Sequence, residues 1–468
     1  MSTLVVHNRR DIIRYIEDNP RNTQRAGILF AIAMTSVFAD AYDLGSLSIG
    51  VSSMAAELGL TPTQVGIVTS STAVGALLSA LAGGIIADRT GRYRLFVICA
   101  VLLVIAPLGI ALSVNFWMIL FFRVLLGIAV GLDIPVAFSF MAELLTKETQ
   151  AKFINLWQPV ASFSNILGVA IALPFALAMA TGHLWRVTCG AGALIAVVAL
   201  VLRLKYSEES PLWSAKHQKL EVAAKVLAST YEIDVRVEPD GSDDREFDPE
   251  NRKYGVRQLF TYKNRARTLL VSICAFVQQL QYYGVGFYIP VIAGLIFGKD
   301  MVSTIVATIC AQALALVAGL IGVRLTPRLG LRGLGLIGYG VVITCLVAVG
   351  LVGIGGQDLS IVPVVLVAFM LAGTSFGPGP LSKTLAAVVY PTEIRGLGTG
   401  WSESMGRLGS IVGLFCFPIL LAGVGAKATM LIIAFFPAIA IIALLTTPLR
   451  RDQSMAREQL KAVAPSPA

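Results

Sequence analysis

Charge is what this sequence has least of. Its 37 Lys and Arg and 28 Asp and Glu make up 14% of 468 residues, where a soluble domain carries about 25%. A water-soluble enzyme of this size could not cover its surface with so few charges. The basic excess leaves a net charge of +9, yet a phosphate-binding face would not be set in so apolar a chain, so no nucleic-acid partner is expected. Histidine is nearly absent: all three lie outside the apolar runs and no HExxH occurs, so neither a metal centre nor a buried histidine relay is expected. Cys99, Cys189, Cys274, Cys310, Cys345 and Cys416 sit in apolar stretches without CxxC or zinc spacing and read as small lipid- or core-facing residues. No Asn-x-Ser/Thr acceptor is present, which agrees with a bacterial inner membrane.

Apolar length is what the sequence has in abundance. Counting Gly in place of Tyr, roughly 63% of the residues are apolar, against about 45–50% in soluble domains. The N-terminus is polar through Arg25 and then runs apolar for about 25 residues, too late and too long for a cleaved signal peptide. A hydrocarbon core takes about 20 residues per helix, and that ruler marks twelve spans. They cover 26–50, 62–86, 95–114, 117–143, 153–179, 185–204, 267–297, 301–324, 333–355, 361–389, 396–423 and 428–448. The sequence therefore predicts an all-α membrane protein: an N-terminal six-helix bundle (1–204), a cytoplasmic interdomain loop (205–265) with an acidic run at 238–244, and a C-terminal six-helix bundle (266–468). Basic residues concentrate on the cytoplasmic side of membrane proteins. With both termini inside, 31 of the 37 basic residues are cytoplasmic, Arg186, Lys299 and Lys427 face out, and Arg123, Lys383 and Arg407 lie within spans. Two halves of six spans suggest a pseudo-symmetric transporter with its site between them. Gly127, Gly131, Pro135, Pro290, Gly377, Pro378 and Pro380 fit close packing and bent helices.

The run Gly84-Ile85-Ile86-Ala87-Asp88-Arg89-Thr90-Gly91-Arg92-Tyr93-Arg94 resembles the GxxxDRxGRR loop signature of the major facilitator superfamily, with Tyr93 its one departure. The resemblance implies the twelve-helix fold of that superfamily and a conformational latch built on Gly84, Asp88, Arg89, Gly91 and Arg92. Plain topology anchoring by positive charge is the alternative. The matching loop of the second half, Pro327-Arg328-Leu329-Gly330-Leu331-Arg332, keeps Arg and Gly but lacks the acid.

Three further stretches narrow the resemblance to sugar porters and their relatives. They are Arg123 to Gly131 in the fourth span, Glu208-Glu209-Ser210-Pro211-Leu212-Trp213 after the sixth and Pro391-Thr392-Glu393-Ile394-Arg395-Gly396 after the tenth. Asp40-Ala41-Tyr42-Asp43 resembles the DxYD segment of phosphate:proton and aromatic acid:proton symporters. Gly131-Leu132-Asp133-Ile134-Pro135 resembles the GGDYP of the phosphate group, and Arg407 falls where that group carries a substrate-binding Lys. The phosphate group's acid in the seventh span is Gln279 here, while Gln278-Gln279 is similar to the QQ pair of sugar porters. Two soluble-enzyme patterns, Gly373-Thr374-Ser375-Phe376-Gly377 and Gly333 to Gly338, sit inside apolar spans without strand-turn-helix context, so no enzyme activity is expected from them.

Ionisable groups at bilayer depth cost about 2.5–3.5 kcal/mol or more each, so they need partners and mark pathways. At about 1.5 Å per residue, Asp43 and Arg123 share a level, and the resemblance assigns them proton coupling. An adjacent guanidinium favours the charged carboxylate, a bias lost when the helices part; a permanent structural pair is the alternative. Asp40 and Asp133 could extend the proton path or simply be hydrogen-bonded. In the second half Glu403 can pair with Lys383 or, four residues away, with Arg407. If Lys383 takes it, Arg407 is left to bind a carboxylate in bidentate fashion. Gln158, Gln278, Gln279 and Tyr283 are the candidate substrate ligands beside Arg407, Lys383 and Glu403. Tyr42, Trp157, Asn165, Gln281, Tyr282, Tyr288 and Trp401 are further candidates for the cavity wall.

The sequence thus predicts a secondary transporter importing a small organic anion with protons by alternating access, acting as a monomer in the plasma membrane with no cofactor. A proton-coupled carrier of neutral sugar or polyol is the alternative. A drug/proton antiporter is disfavoured because 153–179 lacks the GPxxGG-type motif, and a signalling receptor because only about 20 residues follow the last span.

Overall fold

A computed structural model describes residues 4–19, 24–144, 160–178, 182–206, 209, 211–231, 233–238, 256–262, 264–297, 300–353, 361–390 and 394–447. The apolar segments are helices, and together they make the twelve spans that the sequence predicts. The first six are Gln24–Leu58, Pro62–Thr90, Arg92–Ala111, Phe116–Leu144, Val160–Leu177 and Leu184–Tyr206. The seventh spans Arg265–Phe297. The eighth and ninth share Met301–Val352, parted at Gly330 with φ 69°, and the eleventh and twelfth share Arg395–Thr446, parted at Gly425 with φ 79°. Both are left-handed positions where a side chain would be strained, so glycine sets these two corners. The tenth is broken at Gly377 into Val362–Phe376 and Pro378–Val389, because Pro378 and Pro380 remove two donors there.

Lipid explains the outer surface. Leu194 is 72% exposed, Ile442 59% and Val198 58%, which water would not tolerate over so many neighbouring positions. Inside the halves, small residues let backbones approach. A Cβ on Gly127 of the fourth span would lie 2.1 Å from the Thr72 carbonyl oxygen of the second, so only glycine fits. That contact fixes the level of Arg123, whose own carbonyl accepts from the Thr72 hydroxyl at 3.2 Å.

The halves meet at the end of the bundle opposite the termini, here called the far end. Gly66 of the second span faces Phe415 of the eleventh so closely that a Cβ would stand 2.5 Å from its carbonyl oxygen. Beside it the Tyr288 hydroxyl donates to Leu414 O at 3.0 Å and lies 2.9 Å from Thr69 Oγ1, while its ring stacks on Phe417 at 4.6 Å. Glu57 accepts from Trp185 Nε1 at 2.7 Å and Arg186 Nε at 2.8 Å, tying the first span to the sixth.

At the other end the segment between the halves is more than a loop. Pro211–His217 and Leu220–Tyr231 are helices, and Val235–Val237 pairs in parallel with Leu4–Val6 from the start of the chain. The helix Arg9–Asp18, capped reciprocally by Asn8 and Asp11, closes this small module. Val6, Ile12, Ile13, Ala215, Leu227 and Tyr231 form its core. A ruler set to membrane thickness passes over such short elements, although Leu220, Ala223, Ala224 and Leu227 show helical spacing.

Candidate functional site

Arg123 and Asp43 meet inside the N-terminal half. Arg123 is fully buried, and its Nη1 donates to both Asp43 oxygens, at 2.9 and 2.8 Å. Two desolvated charges are tolerated only when bonded this closely. A cleft lined by Ala39, Tyr42, Asp43, Pro107, Leu126 and Cys189 lies against the carboxylate. Tyr42 itself turns into the half, donating to Thr188 O at 2.9 Å, and does not line the seam between halves.

Asp133 has a partner that sequence reasoning missed. Arg203, counted there among cytoplasmic charges, is 0% exposed in the last turn of the sixth span. Its Nη1 and Nη2 donate to the two Asp133 oxygens at 2.6 and 2.8 Å, and to Phe96 O at 2.9 Å and Ser36 Oγ at 2.8 Å. The guanidinium also lies 3.8 Å over the Phe96 ring. The available signal was an Arg two residues inside Lys205, close enough to the end of an apolar run to be read as an anchor.

The seam between the halves holds a different cluster. The seventh span passes through a π-helical turn at Tyr282–Gly286, a distortion that changes helical register and recurs at functional sites. It sends adjacent tyrosines to different partners. Tyr282 OH lies 3.4 Å from Asn165 Nδ2 of the fifth span, while Tyr283 interacts electrostatically with Asp40, Arg407 and Glu403. Arg407 in turn interacts with Asp40 of the first span, with Tyr283 and with Glu403. Gly406 admits Gln279 so closely that a Cβ would lie 3.2 Å from its Cγ. The structure therefore brings Asp40, Gln279, Tyr283, Glu403 and Arg407 into one neighbourhood, with Arg407 half-buried and Glu403 exposed.

Other expected ligands face elsewhere. Gln278 accepts from Ser382 Oγ at 3.3 Å and Gln281 Nε2 donates to Thr374 Oγ1 at 3.4 Å, so both bind the tenth span. Trp401 Nε1 donates to Ser272 Oγ at 2.7 Å, and Tyr288 seals the far end. Trp157 and Gln158 lie outside the described residues, as do the side chains of Lys383, Asp88, Arg89 and Arg92 and the surroundings of Gly84. The second span remains helical through Thr90, and Gly91 turns the chain with φ 89°. Just beyond it, Tyr93 N donates to Glu209 Oε1 at 3.1 Å, joining the loop signature to the stretch after the sixth span.

A family model described as sugar (and other) transporter matches residues 28–448. The chain belongs to this family. As a sugar-transporter family member it is a multi-pass membrane transporter and not an enzyme. YncC of Bacillus subtilis (strain 168), a protein named for metabolite transport, is 29% identical over 442 residues, 91% of each chain. The glucose transporter GlcP of Staphylococcus epidermidis is 24% identical over 421 residues, 86% of this chain and 89% of its own. The inward-open xylose transporter XylE from E. coli superposes with a TM-score of 0.72 at 18% identity, covering 94% of this chain and 99% of its own. That likeness concerns the fold.

Proposed function

We propose that this family member carries a small organic anion together with protons by alternating access. The observation that carries the reading is Arg407, a cation at the seam between the halves where both can touch a substrate. A guanidinium there can take a carboxylate through two parallel hydrogen bonds. Proton coupling falls to Asp43 with Arg123, a buried pair whose balance shifts when neighbouring helices move, with Asp40 and Asp133 as further carriers. Positive-inside asymmetry puts both termini in the cytoplasm of a plasma membrane, so the closed far end faces outward and the site opens inward. Asp88, Arg89 and Arg92, with Gly84 and Gly91, form the latch on the cytoplasmic face. The protein works as a monomer, with the proton as its only coupling ion.

A neutral sugar is the second reading. Asp40 and Glu403 both lie near enough to neutralise Arg407, and relatives include a D-xylose transporter of Levilactobacillus brevis and GlcP. A thermal-shift series on the purified protein, pairing D-glucuronate with D-glucose, D-galacturonate with D-galactose and benzoate with benzyl alcohol, separates the two. The anion reading expects a carboxylate to stabilise the protein more than its neutral partner, and Arg407→Gln to remove that effect. Stabilisation by the neutral sugars alone, or by no carboxylate, overturns it.

A further inference from the structure

The chain enters its seventh span differently from its first. Residues 256–268 hold four basic side chains, Arg257, Lys263, Arg265 and Arg267, and no acid. Residues 16–25, ahead of the first span, set Arg21 and Arg25 against Glu17 and Asp18 and carry no aromatic ring. Phe260 and Tyr262 stand out from the seventh-span entry, 53% and 81% exposed, and the Arg265 guanidinium lies 4.5 Å over the Tyr262 ring. Arg257 and Arg265 are both exposed. Leu269, four residues on and on the same helix face as Arg265, is 62% exposed. Arg265 stands about 6 Å before it at about 1.5 Å per residue, the level of lipid headgroups. We propose that this entry segment binds the headgroup of an anionic phospholipid of the cytoplasmic leaflet, with Arg257 and Arg265 on the phosphate and Phe260 and Tyr262 in the layer between headgroups and acyl chains.

The chemistry selects a lipid over a free anion. Inorganic phosphate would meet the two guanidinium groups but leave the rings of Phe260 and Tyr262 in water, whereas a phospholipid answers both. The segment is also fastened to the C-terminal half. Leu259 is fully buried there, its carbonyl accepts from Thr268 Oγ1 at 2.6 Å, and Asn264 Nδ2 donates to Gln258 O at 3.2 Å. Tyr390, at the end of the tenth span, donates to Thr268 Oγ1 at 2.9 Å. The Phe260 ring stands edge-on to Trp401 of the eleventh span at 5.2 Å, and Trp401 Nε1 donates to Ser272 Oγ of the seventh at 2.7 Å. A headgroup held at Arg257 and Arg265 thus bears on the cytoplasmic ends of the seventh, tenth and eleventh spans at once. The seventh and eleventh carry Tyr283 and Arg407, so the bound lipid steadies the helices that form the seam on this side.

The test is titration of the purified full-length protein in detergent with dioleoylphosphatidylglycerol, dioleoylphosphatidylcholine or inorganic phosphate, read by melting temperature and by amide hydrogen exchange. It needs no transported substrate, so its outcome is independent of the anion reading. Phosphatidylglycerol is expected to raise the melting temperature and to slow exchange across 256–268, and the other two to do neither. Arg257→Gln combined with Arg265→Gln is expected to move the phosphatidylglycerol midpoint roughly 25-fold, about fivefold for each arginine. Arg265→Lys, which keeps the charge, should move it less than about threefold. Lys219→Gln combined with Lys225→Gln, an equal loss of exposed charge from the cytoplasmic module, should leave it unchanged. Should the double arginine variant not purify, Arg265→Gln alone is expected to give about a fivefold shift. Equal stabilisation by phosphatidylcholine or by inorganic phosphate overturns the lipid site. So does protection confined to 4–18 or 211–238, or a midpoint moved as far by the lysine pair as by the arginines.

Discussion

The two halves handle membrane-embedded charge in opposite ways. The N-terminal half closes its charges into pairs: Arg123 with Asp43 and Arg203 with Asp133, each guanidinium fully buried and bonded to both carboxylate oxygens. The C-terminal half leaves Arg407 half-buried at the seam, where its counter-charges are Glu403 and, from across the seam, Asp40. Each closed pair is buried inside its own half, with the Nε of its guanidinium left without a hydrogen-bond partner. A guanidinium at the seam is within reach of a ligand, and it also senses the relative position of the halves. In the proposed mechanism this difference divides the labour: the first half holds fixed charges and couples the proton, and the second offers the contact for the substrate.

The sharpest way to break this contrast is to open a closed pair. Asp133→Ala strands Arg203 and is expected to cost about 3–5 kcal/mol of stability, seen as a large fall in melting temperature and loss of monodisperse protein. Arg203→Met combined with Asp133→Leu is expected to recover most of that loss, since a buried pair can be replaced by apolar residues at little cost. Next in size is the exposed partner. Arg407→Gln should keep the fold and melting temperature but weaken carboxylate binding roughly 10- to 100-fold, the equivalent of about 1.5–3 kcal/mol for hydrogen bonds to a charged group. Gly66→Trp would wedge the second span away from Phe415 and hold the far end open. Labelling of a cysteine placed at Thr69 should then become fast while uptake is lost. Smallest of all is removal of residues 1–8, which deletes the strand Leu4–Val6. It should speed proteolysis of the 211–238 module while changing transport less than twofold.

Much of this organisation was legible in the chain. Twelve apolar runs of membrane length specify twelve helices, and Asp43 and Arg123 could be matched by depth because both stand well inside their spans. Arg203 escaped because it lies near a span end, where an arginine is ordinarily an anchor. Its burial depends on Asp133, Phe96 and Ser36 converging from three other helices, which sequence spacing does not encode. Gln278 and Gln281 were expected in the cavity, but helical phase turns them toward Ser382 and Thr374, and a π-helical turn just beyond resets the phase for Tyr282 and Tyr283. The pairing of Leu4–Val6 with Val235–Val237 joins segments more than 200 residues apart, a contact no local pattern announces.

The division of labour is tested most directly by uptake of the best-bound carboxylate into proteoliposomes, with and without an inward proton gradient. Wild type should accumulate it only with the gradient. Asp43→Asn should exchange it without accumulating it, and Arg407→Gln should do neither. Equal loss of exchange in both variants, or gradient-driven accumulation by Asp43→Asn, would contradict the account.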